Sequence, residues 1–120
     1  QAKIGTFTRD MTAASGDVVI SSIGFTPTQV FIMGGINGTT TPSFGIDDAT
    51  TRICVFNDHQ DIATVWGIST SYTIGCVTAV GNNFQTAVVS ALASGQFTLT
   101  WTKTGSPTGT GTYGYIAFGR

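Results

Sequence analysis

The chain has 120 residues, of which 41% are hydrophobic and only 9% are charged, and its formal net charge is −1. This length makes a single domain, residues 1–120, and the apolar content is sufficient for a core, which excludes a disordered protein. With so few charges there is no basic patch to neutralise phosphates, so we expect no nucleic-acid partner. No run approaches about 18 apolar residues, so we expect no membrane span.

The residue types favour strands over helices. Glycine contributes 16 residues, Thr and Ser together exceed thirty, and Glu is absent. Thr and aromatic residues favour pleated surfaces, whereas the helix formers Glu, Lys and Arg are scarce. Turn residues recur about every ten positions, which is typical of a sandwich or barrel. We therefore predict an all-β fold, an antiparallel β-sandwich of jelly-roll or lectin-like type with little or no helix.

Nine strand-like runs follow one another along the chain. The clearest begins at Phe97, where Phe97, Leu99 and Trp101 share one face and threonines the other, so we place Trp101 in the core. The segment Gln60–Gly67 is short for a helix, and we predict a turn there. Between Lys103 and Thr112, Gly, Ser, Thr and Pro predict a loop or a long hairpin tip. The strands are predicted near residues 3–9, 17–23, 29–34, 43–47, 52–57, 72–80, 84–92, 96–102 and 113–118.

Two of these strands are apolar on both faces. In Val30–Met33 and Tyr113–Phe118 no polar side alternates with the apolar one. Each sheet of a two-layer sandwich has one buried face, so the second apolar face is expected to meet another surface. We predict an assembly, either a homo-oligomer, with a trimer favoured, or a protein docked on a larger particle. The alternative is that loops cover both faces.

Few side chains can support catalysis. The one histidine, His59, lies between Asp58 and Asp61, and no Gly-x-Ser-x-Gly nucleophile turn is present. The close carboxyl pairs, Asp47 with Asp48 and Asp58 with Asp61, lie in turn-like stretches, where we expect solvated side chains instead of a glycosidase pair. We predict no catalytic residues and no enzyme activity.

Metal and cofactor sites lack a complete set of ligands. Asp58, His59 and Asp61 offer oxygens and an imidazole, but the calcium-loop pattern and the Cys/His spacing of zinc sites are missing. No Gly-rich loop precedes a helix, so there is no phosphate cradle. Cys54 and Cys76 each lie in an apolar run. We predict no metal and no cofactor, and two buried free thiols, with one disulfide as the alternative.

Several aromatic residues combine an apolar ring with a polar group, as carbohydrate-stacking platforms do. For most of them we predict core or interface packing instead. Trp66, which follows the predicted turn at Asn57–Asp61, is the one that we assign to the surface. The five candidates are Trp66, Trp101, Tyr72, Tyr113 and Tyr115.

Several stretches resemble the small β-rich structural proteins of tailed bacteriophages. The run Gly24–Ile32 resembles that family's Gly-Phe-x-Pro-x-x-Val strand, and Gly95–Thr102 with Tyr115–Gly119 resembles its ending. The opening Gly5–Thr8 also fits, and Phe44–Asp48 is loosely similar to a Gly-Phe-Gly-type strand. The resemblance covers most of the chain. It implies a virion protein, such as a capsid decoration or tail-associated module, and it transfers no catalytic residues.

A second resemblance is to the H-type lectins, small antiparallel sandwiches that assemble as trimers or hexamers and bind N-acetylgalactosamine. They also have an aromatic-x-Pro-x-x-Val strand, as in Phe25–Val30, and they close with an aromatic-Ile-Ala strand, as in Tyr115–Ala117. Their sugar-contacting residues have no counterparts that we can place on this sequence.

Together these observations predict a virion structural protein. The most concrete form is a capsid decoration (cement) protein, located in the virion, that stabilises the shell through apolar strand-face contacts with the major capsid protein or other virion proteins. The alternative is a receptor-binding or lectin-like module, tail-associated or secreted, with carbohydrate as its ligand. Because the chain carries so little charge, we expect its binding to change little with salt.

Overall fold

The computed structural model describes residues 1–57, 66–79 and 82–120, without the side chains of residues 77–79. Within these ranges the chain forms strands and no helix, so no described helix is long and apolar enough to cross a membrane. Ten strands are described, and their bounds are β1 Ala2–Asp10, β2 Gly16–Ile20, β3 Pro27–Ile36, β4 Pro42–Asp47, β5 Arg52–Asn57, β6 Trp66–Ser69, β7 Ile74–Ala79, β8 Asn83–Ala93, β9 Gln96–Thr104 and β10 Thr110–Gly119.

The strands form two antiparallel sheets that pack as a sandwich. The six-stranded sheet has the order β1-β10-β3-β4-β5-β6, and the four-stranded sheet has the order β2-β9-β8-β7. Strands β3 to β6 and β7 to β9 follow one another as meanders within their sheets, and the chain crosses between the sheets after β1, β2, β6 and β9. The predicted all-β antiparallel sandwich is thereby confirmed.

The core lies between the inner faces of the two sheets. Phe97, Leu99 and Trp101 of β9 are at most 1% exposed, as their alternation with threonine predicts. They meet the tyrosines of β10, and the ring centroids lie 5.2 Å apart for Phe97 and Tyr115 and 6.1 Å apart for Trp101 and Tyr113. Burying one such large side chain stabilises the fold by about 1.5–3 kcal/mol. The predicted core position of Trp101 is confirmed.

All nine predicted strands are present, and one further strand was not predicted. Strand β6 begins at Trp66, inside the segment Gln60–Gly67 where we predicted a turn; residues 60–65 of that segment lie outside the described residues. Trp66 and Gly67 are strand residues because they pair with β5. The segment Lys103–Thr112 also differs, since β9 and β10 extend into it and leave residues 105–109 as a loop that joins the two sheets.

Both cysteines are buried free thiols, as predicted. Cys54 on β5 and Cys76 on β7 are each 0% exposed, and no disulfide joins them. Burial raises the pKa of Cys76 to about 12, while a hydrogen bond with the Tyr113 hydroxyl opposes the rise. Burial also raises the pKa of Cys54. Because the thiolate is the reactive form, both side chains behave as small apolar groups of the core.

Candidate functional site

Strand β4 has its apolar side chains on the outside of the sandwich. Along it, Ser43, Gly45 and Asp47 are buried, whereas Phe44 is 46% exposed and Ile46 is 47% exposed. A strand with one solvated face normally turns its apolar side chains inward. The pattern of β4 is therefore reversed, with its small and polar side buried.

The reversal has a local cause, which is the close packing of β4 against the segment that leads into β7. A Cβ atom on Gly45 would lie well inside van der Waals contact with the backbone oxygen of Thr73, so only glycine fits there. Two positions further on, the buried Asp47 carboxylate accepts hydrogen bonds from the Thr73 hydroxyl and, at 3.0 Å, from the backbone N–H of Val89. Val89 adjoins a β-bulge in β8, where the ladder register shifts.

Asp47 also forms the ion pair of this region. Arg52 Nε lies 2.8 Å from Asp47 Oδ2, with the Arg52 side chain 19% exposed and the Asp47 side chain 0% exposed. We expected both aspartates of this pair to be solvated, and for Asp47 that prediction is wrong. Asp48 is exposed as expected, and its carboxylate accepts hydrogen bonds from the backbone N–H groups of Thr50 and Thr51. Asp47 thus ties the two sheets together.

The cross-strand register extends the apolar side of β4 over the whole six-stranded sheet in two rows. The first row crosses five strands through Ile4, Ile116, Phe31, Ile46 and Ile53. The second row runs beside it through Gly114, Met33, Phe44, Val55 and Ile68. We call these two rows, together with Phe118 and Trp66 at the margin, the apolar face.

The apolar face is both open and large. Eight large side chains of the apolar face are exposed. The most exposed are Ile4, at 75%, and Ile68, at 71%, and the least exposed is Phe118, at 38%. Since a large side chain has a surface of about 200 Å², eight of them at roughly half exposure present on the order of 800 Å². Single exposed apolar residues are ordinary, but a contiguous patch above roughly 600 Å² marks an interaction site.

The apolar face carries almost no charge. Among the outward positions of the described strands in this sheet, Asp10, at the end of β1, is the one charged residue. Within the face, the rings of Phe31 and Phe44 form a T-shaped contact with centroids 4.5 Å apart. The prediction that Val30–Met33 and Tyr113–Phe118 are apolar on both sides is confirmed, and the described loops do not cover their outer side.

The outer face of the four-stranded sheet is different. Strand β9 presents Thr98, Thr100 and Thr102 there, as the alternation predicted. The Thr100 hydroxyl lies 2.7 Å from Asp17 Oδ1 and 2.8 Å from Ser90 Oγ. The exposed large apolar residue of the described part of this face is Val19, at 51%. We call this surface the threonine face.

A cleft adjoins the apolar face at Trp66. The indole is 54% exposed and borders a cavity of about 510 Å³ that is also lined by Asn37, Asn57 and Thr112. The Thr112 hydroxyl donates a hydrogen bond of 2.8 Å to Asn37 Oδ1, and the pair of side chains brings both donor and acceptor groups to the lining of the cleft. The described lining contains no charged residue. We call this cavity the tryptophan cleft.

Of the five aromatic candidates for sugar stacking, Trp66 is the one that the structure places at the surface. Trp101, Tyr113 and Tyr115 are buried in the core. Tyr72 is half-buried, and its ring lies 5.8 Å from that of Phe56. The assignment of Trp66 to the surface is therefore confirmed, and the other four residues serve packing.

The polar side chains that were weighed as metal ligands, with no metal predicted, follow β5 in the sequence. Asp58, His59 and Asp61 lie outside the described residues. Across the ranges 1–57, 66–79 and 82–120, no three His, Cys, Asp or Glu side chains come together as a metal site would require. The apolar face and the tryptophan cleft are therefore the candidate sites that the described residues form.

The fold of this chain is similar to part of one solved structure. No protein family matches the chain, and no curated protein matches it. The fold is similar to part of the crystal structure of the Acinetobacter phage vB_ApiP_P1 tailspike protein, with a TM-score of 0.46 and 12% sequence identity over 97% of this chain. The match covers 21% of the tailspike chain, so this chain spans about a fifth of that protein's length. The likeness is weak, and it is to a tailspike and not to a capsid decoration protein.

Proposed function

We propose that this protein is a structural component of a bacteriophage particle, most concretely a capsid decoration protein that acts through apolar strand-face contacts. The apolar face carries the proposal, because a surface of this size and composition is typical of a contact surface. The resemblance of Gly24–Ile32 and Tyr115–Gly119 to phage structural proteins supports the virion as the place of that contact.

The proposed mechanism is burial of apolar surface in a shell built from many copies. Contacts of this kind need no charge complementarity, so they depend little on ionic strength. The major capsid protein, or another virion protein, is the partner of the assembled module. No catalytic group, metal or cofactor enters this mechanism, and we propose a role without enzyme activity.

The first experiment counts copies of the chain in particles. Phage particles from the source culture are purified on a density gradient, and quantitative mass spectrometry gives the ratio of this chain to the major capsid protein. A ratio near one, or a simple fraction of one, supports a decoration protein that covers the capsid. A few copies per particle would favour a tail-associated module, and absence from the particles would contradict the virion assignment.

A second experiment tests whether the apolar face makes the contact with the particle. Recombinant protein is added back to particles that lack it, at low and at high salt. We expect Phe44→Asp to abolish binding and Val19→Asp, on the threonine face, to leave it unchanged. Binding that survives Phe44→Asp, or that is lost on raising the salt, would contradict a contact made through the apolar face.

A second candidate function, recognition of a carbohydrate, is favoured by the tryptophan cleft. An exposed indole beside amide and hydroxyl groups suits the apolar face and the hydroxyls of a sugar ring. The absence of charge from the described lining favours a neutral glycan. The test is a glycan array with the wild type, Trp66→Ala and Val19→Ala. Carbohydrate recognition requires binding that Trp66→Ala removes and Val19→Ala retains; no binding, or binding that Trp66→Ala retains, would contradict it.

A further inference from the structure

We propose that the apolar face is the interface through which copies of this chain bind one another. The inference rests on the same surface as the proposed function and names its occupant in the free protein, which is the apolar face of another copy; on the particle, a shell protein takes the place of that copy. The virion assignment supplies no part of the reasoning, which starts from the size, charge and pattern of that face.

The size of the apolar face matches what one copy contributes to a stable interface. A standard protein–protein interface takes about 800 Å² from each partner, and the eight exposed large side chains of the face present on the order of 800 Å². Ile4 on β1 and Ile68 on β6 lie at opposite edges of the sheet and are more than 70% exposed, so the patch spans the full width of the sheet. A second copy of the same sheet therefore covers the patch without leaving a large apolar remainder.

The lack of charge makes the face complementary to itself. In a symmetric contact each residue near the axis lies close to its own counterpart, so a charged residue there would be repelled by the same charge on the other copy. Among the outward positions of the strands that the structure describes in this sheet, the one charged residue is Asp10, which lies at the end of β1, away from the two central rows. Phe31, Met33, Phe44 and Ile46 occupy the middle of the face, and the unbranched Met33 side chain can adapt to an apposed surface.

The pattern of β4 is an independent reason to expect that copies of the chain associate through the apolar face. Its buried side is filled by Ser43, Gly45 and Asp47, so the apolar side chains of this strand add nothing to the core of the single chain. Exposed Phe and Ile in a sheet also create an aggregation hazard unless they are covered. Self-association through a defined face covers them in a limited assembly.

The test measures the mass of the purified protein in solution, away from any particle. Light scattering after size exclusion and native mass spectrometry are run between about 1 and 100 µM on the wild type, Ile46→Asp, Met33→Gln and Val19→Asp. We expect a dimer for the wild type and for Val19→Asp, because a symmetric contact of the apolar face with the same face of another copy closes at two chains. Removing a central contact raises the dissociation constant at least about 30-fold, so Ile46→Asp should be monomeric and Met33→Gln weakened.

Two results would overturn the inference. One is a wild type that stays monomeric throughout the range, and the other is an oligomer that neither Ile46→Asp nor Met33→Gln weakens. Both positions are about half exposed, so far-UV circular dichroism and the melting temperature should show that the variants fold. A protein absent from phage particles but oligomeric through this face would contradict the proposed function alone. A monomer that still binds particles through Phe44 would contradict only the present inference.

Discussion

The two outer faces of the sandwich are built from the same kind of antiparallel strand and differ in what they leave exposed. On the four-stranded sheet, Thr98, Thr100 and Thr102 lie outside and Phe97, Leu99 and Trp101 lie in the core, which is the usual division. On the six-stranded sheet both sides are apolar at β3 and β10, and at β4 the division is reversed. The outer side of the four-stranded sheet is therefore a usual water-facing surface, and the outer side of the six-stranded sheet is the apolar surface that we propose another copy covers.

The comparison separates two tasks along β4. Its inward side, with Gly45 and Asp47, holds the two sheets together, whereas its outward side, with Phe44 and Ile46, is available for contact with a partner. Substitutions on the two sides should consequently affect different properties, namely the stability of the single chain and its association.

The largest expected effect is on the inward side. Asp47→Ala leaves Arg52, the Thr73 hydroxyl and the Val89 N–H without their shared acceptor, and we expect the free energy of unfolding to fall by about 3 kcal/mol. Urea denaturation of the dilute protein measures the loss. Asp48→Ala, at the exposed neighbour, is the matched control and should cost much less. Equal losses of unfolding free energy in Asp47→Ala and Asp48→Ala would show that the hydrogen bonds of the buried Asp47 stabilise the fold no more than those of the exposed Asp48.

The double variant Phe44→Thr with Ile46→Thr gives the apolar face the residue type of the threonine face. We expect self-association to be lost, while the free energy of unfolding of the dilute chain falls by only about 1 kcal/mol, mainly from loss of the Phe31–Phe44 contact. Urea denaturation and light scattering measure the two quantities. A loss of about 4 kcal/mol would mean that these side chains belong to the core of the single chain, and the comparison of the two faces would fail.

The pH dependence of stability tests whether the space between the sheets is closed to water. The pKa of Cys76 is raised to about 12 in the folded protein, so above the ordinary value near 9 the unfolded chain loses its thiol proton while the folded chain keeps it. Stability should fall as the pH rises from about 9 toward 12, by at least about 1 kcal/mol between pH 8 and pH 10. Denaturation at pH 8 and at pH 10 measures the fall in stability, and we expect a smaller fall in Cys76→Ala. An equal fall in that variant would assign the effect to other groups, such as Tyr113, whose pKa burial also raises.

The smallest expected effect is that of salt. Because the apolar face is almost uncharged, raising the salt from about 50 to 500 mM should change the self-association constant by no more than about twofold. Analytical ultracentrifugation at the two concentrations measures it. A tenfold weakening would place the contact at charged residues, outside the apolar face.

Sequence patterns predicted most of the fold because its strands follow simple rules. The alternation at Phe97–Thr102 predicted both the strand and the buried side of β9. Strand β6 escaped prediction because four residues beginning at Trp66 give too short a pattern, and it is the pairing with β5 that makes them a strand. Asp47 was expected in solvent because its neighbours are turn residues, and its burial depends on Thr73 and Val89, which lie far along the chain.

The candidate sites were predictable only in part. Apolar residues on both sides of Val30–Met33 predicted that a second face would need a partner, but the sequence did not indicate which side is core. That distinction needs the register, which aligns Ile4, Phe31 and Ile46 in one row although they lie in three distant segments. The position of Trp66 at the surface was predicted, whereas its cleft with Asn37 and Thr112 required the pairing of β3 with β10.

The two methionines offer the most direct test of the claim that the apolar face is covered in the assembled protein. Met33 lies on that face and is 52% exposed in the single chain, whereas Met11 lies in the core and is 0% exposed. Hydrogen peroxide converts accessible Met to its sulfoxide, and mass spectrometry gives the rate at each position. We predict that Met33 oxidises quickly in dilute protein and slows toward the rate of Met11 as the concentration rises, while in Ile46→Asp it stays fast. Oxidation of Met33 that is fast at every concentration would contradict the account.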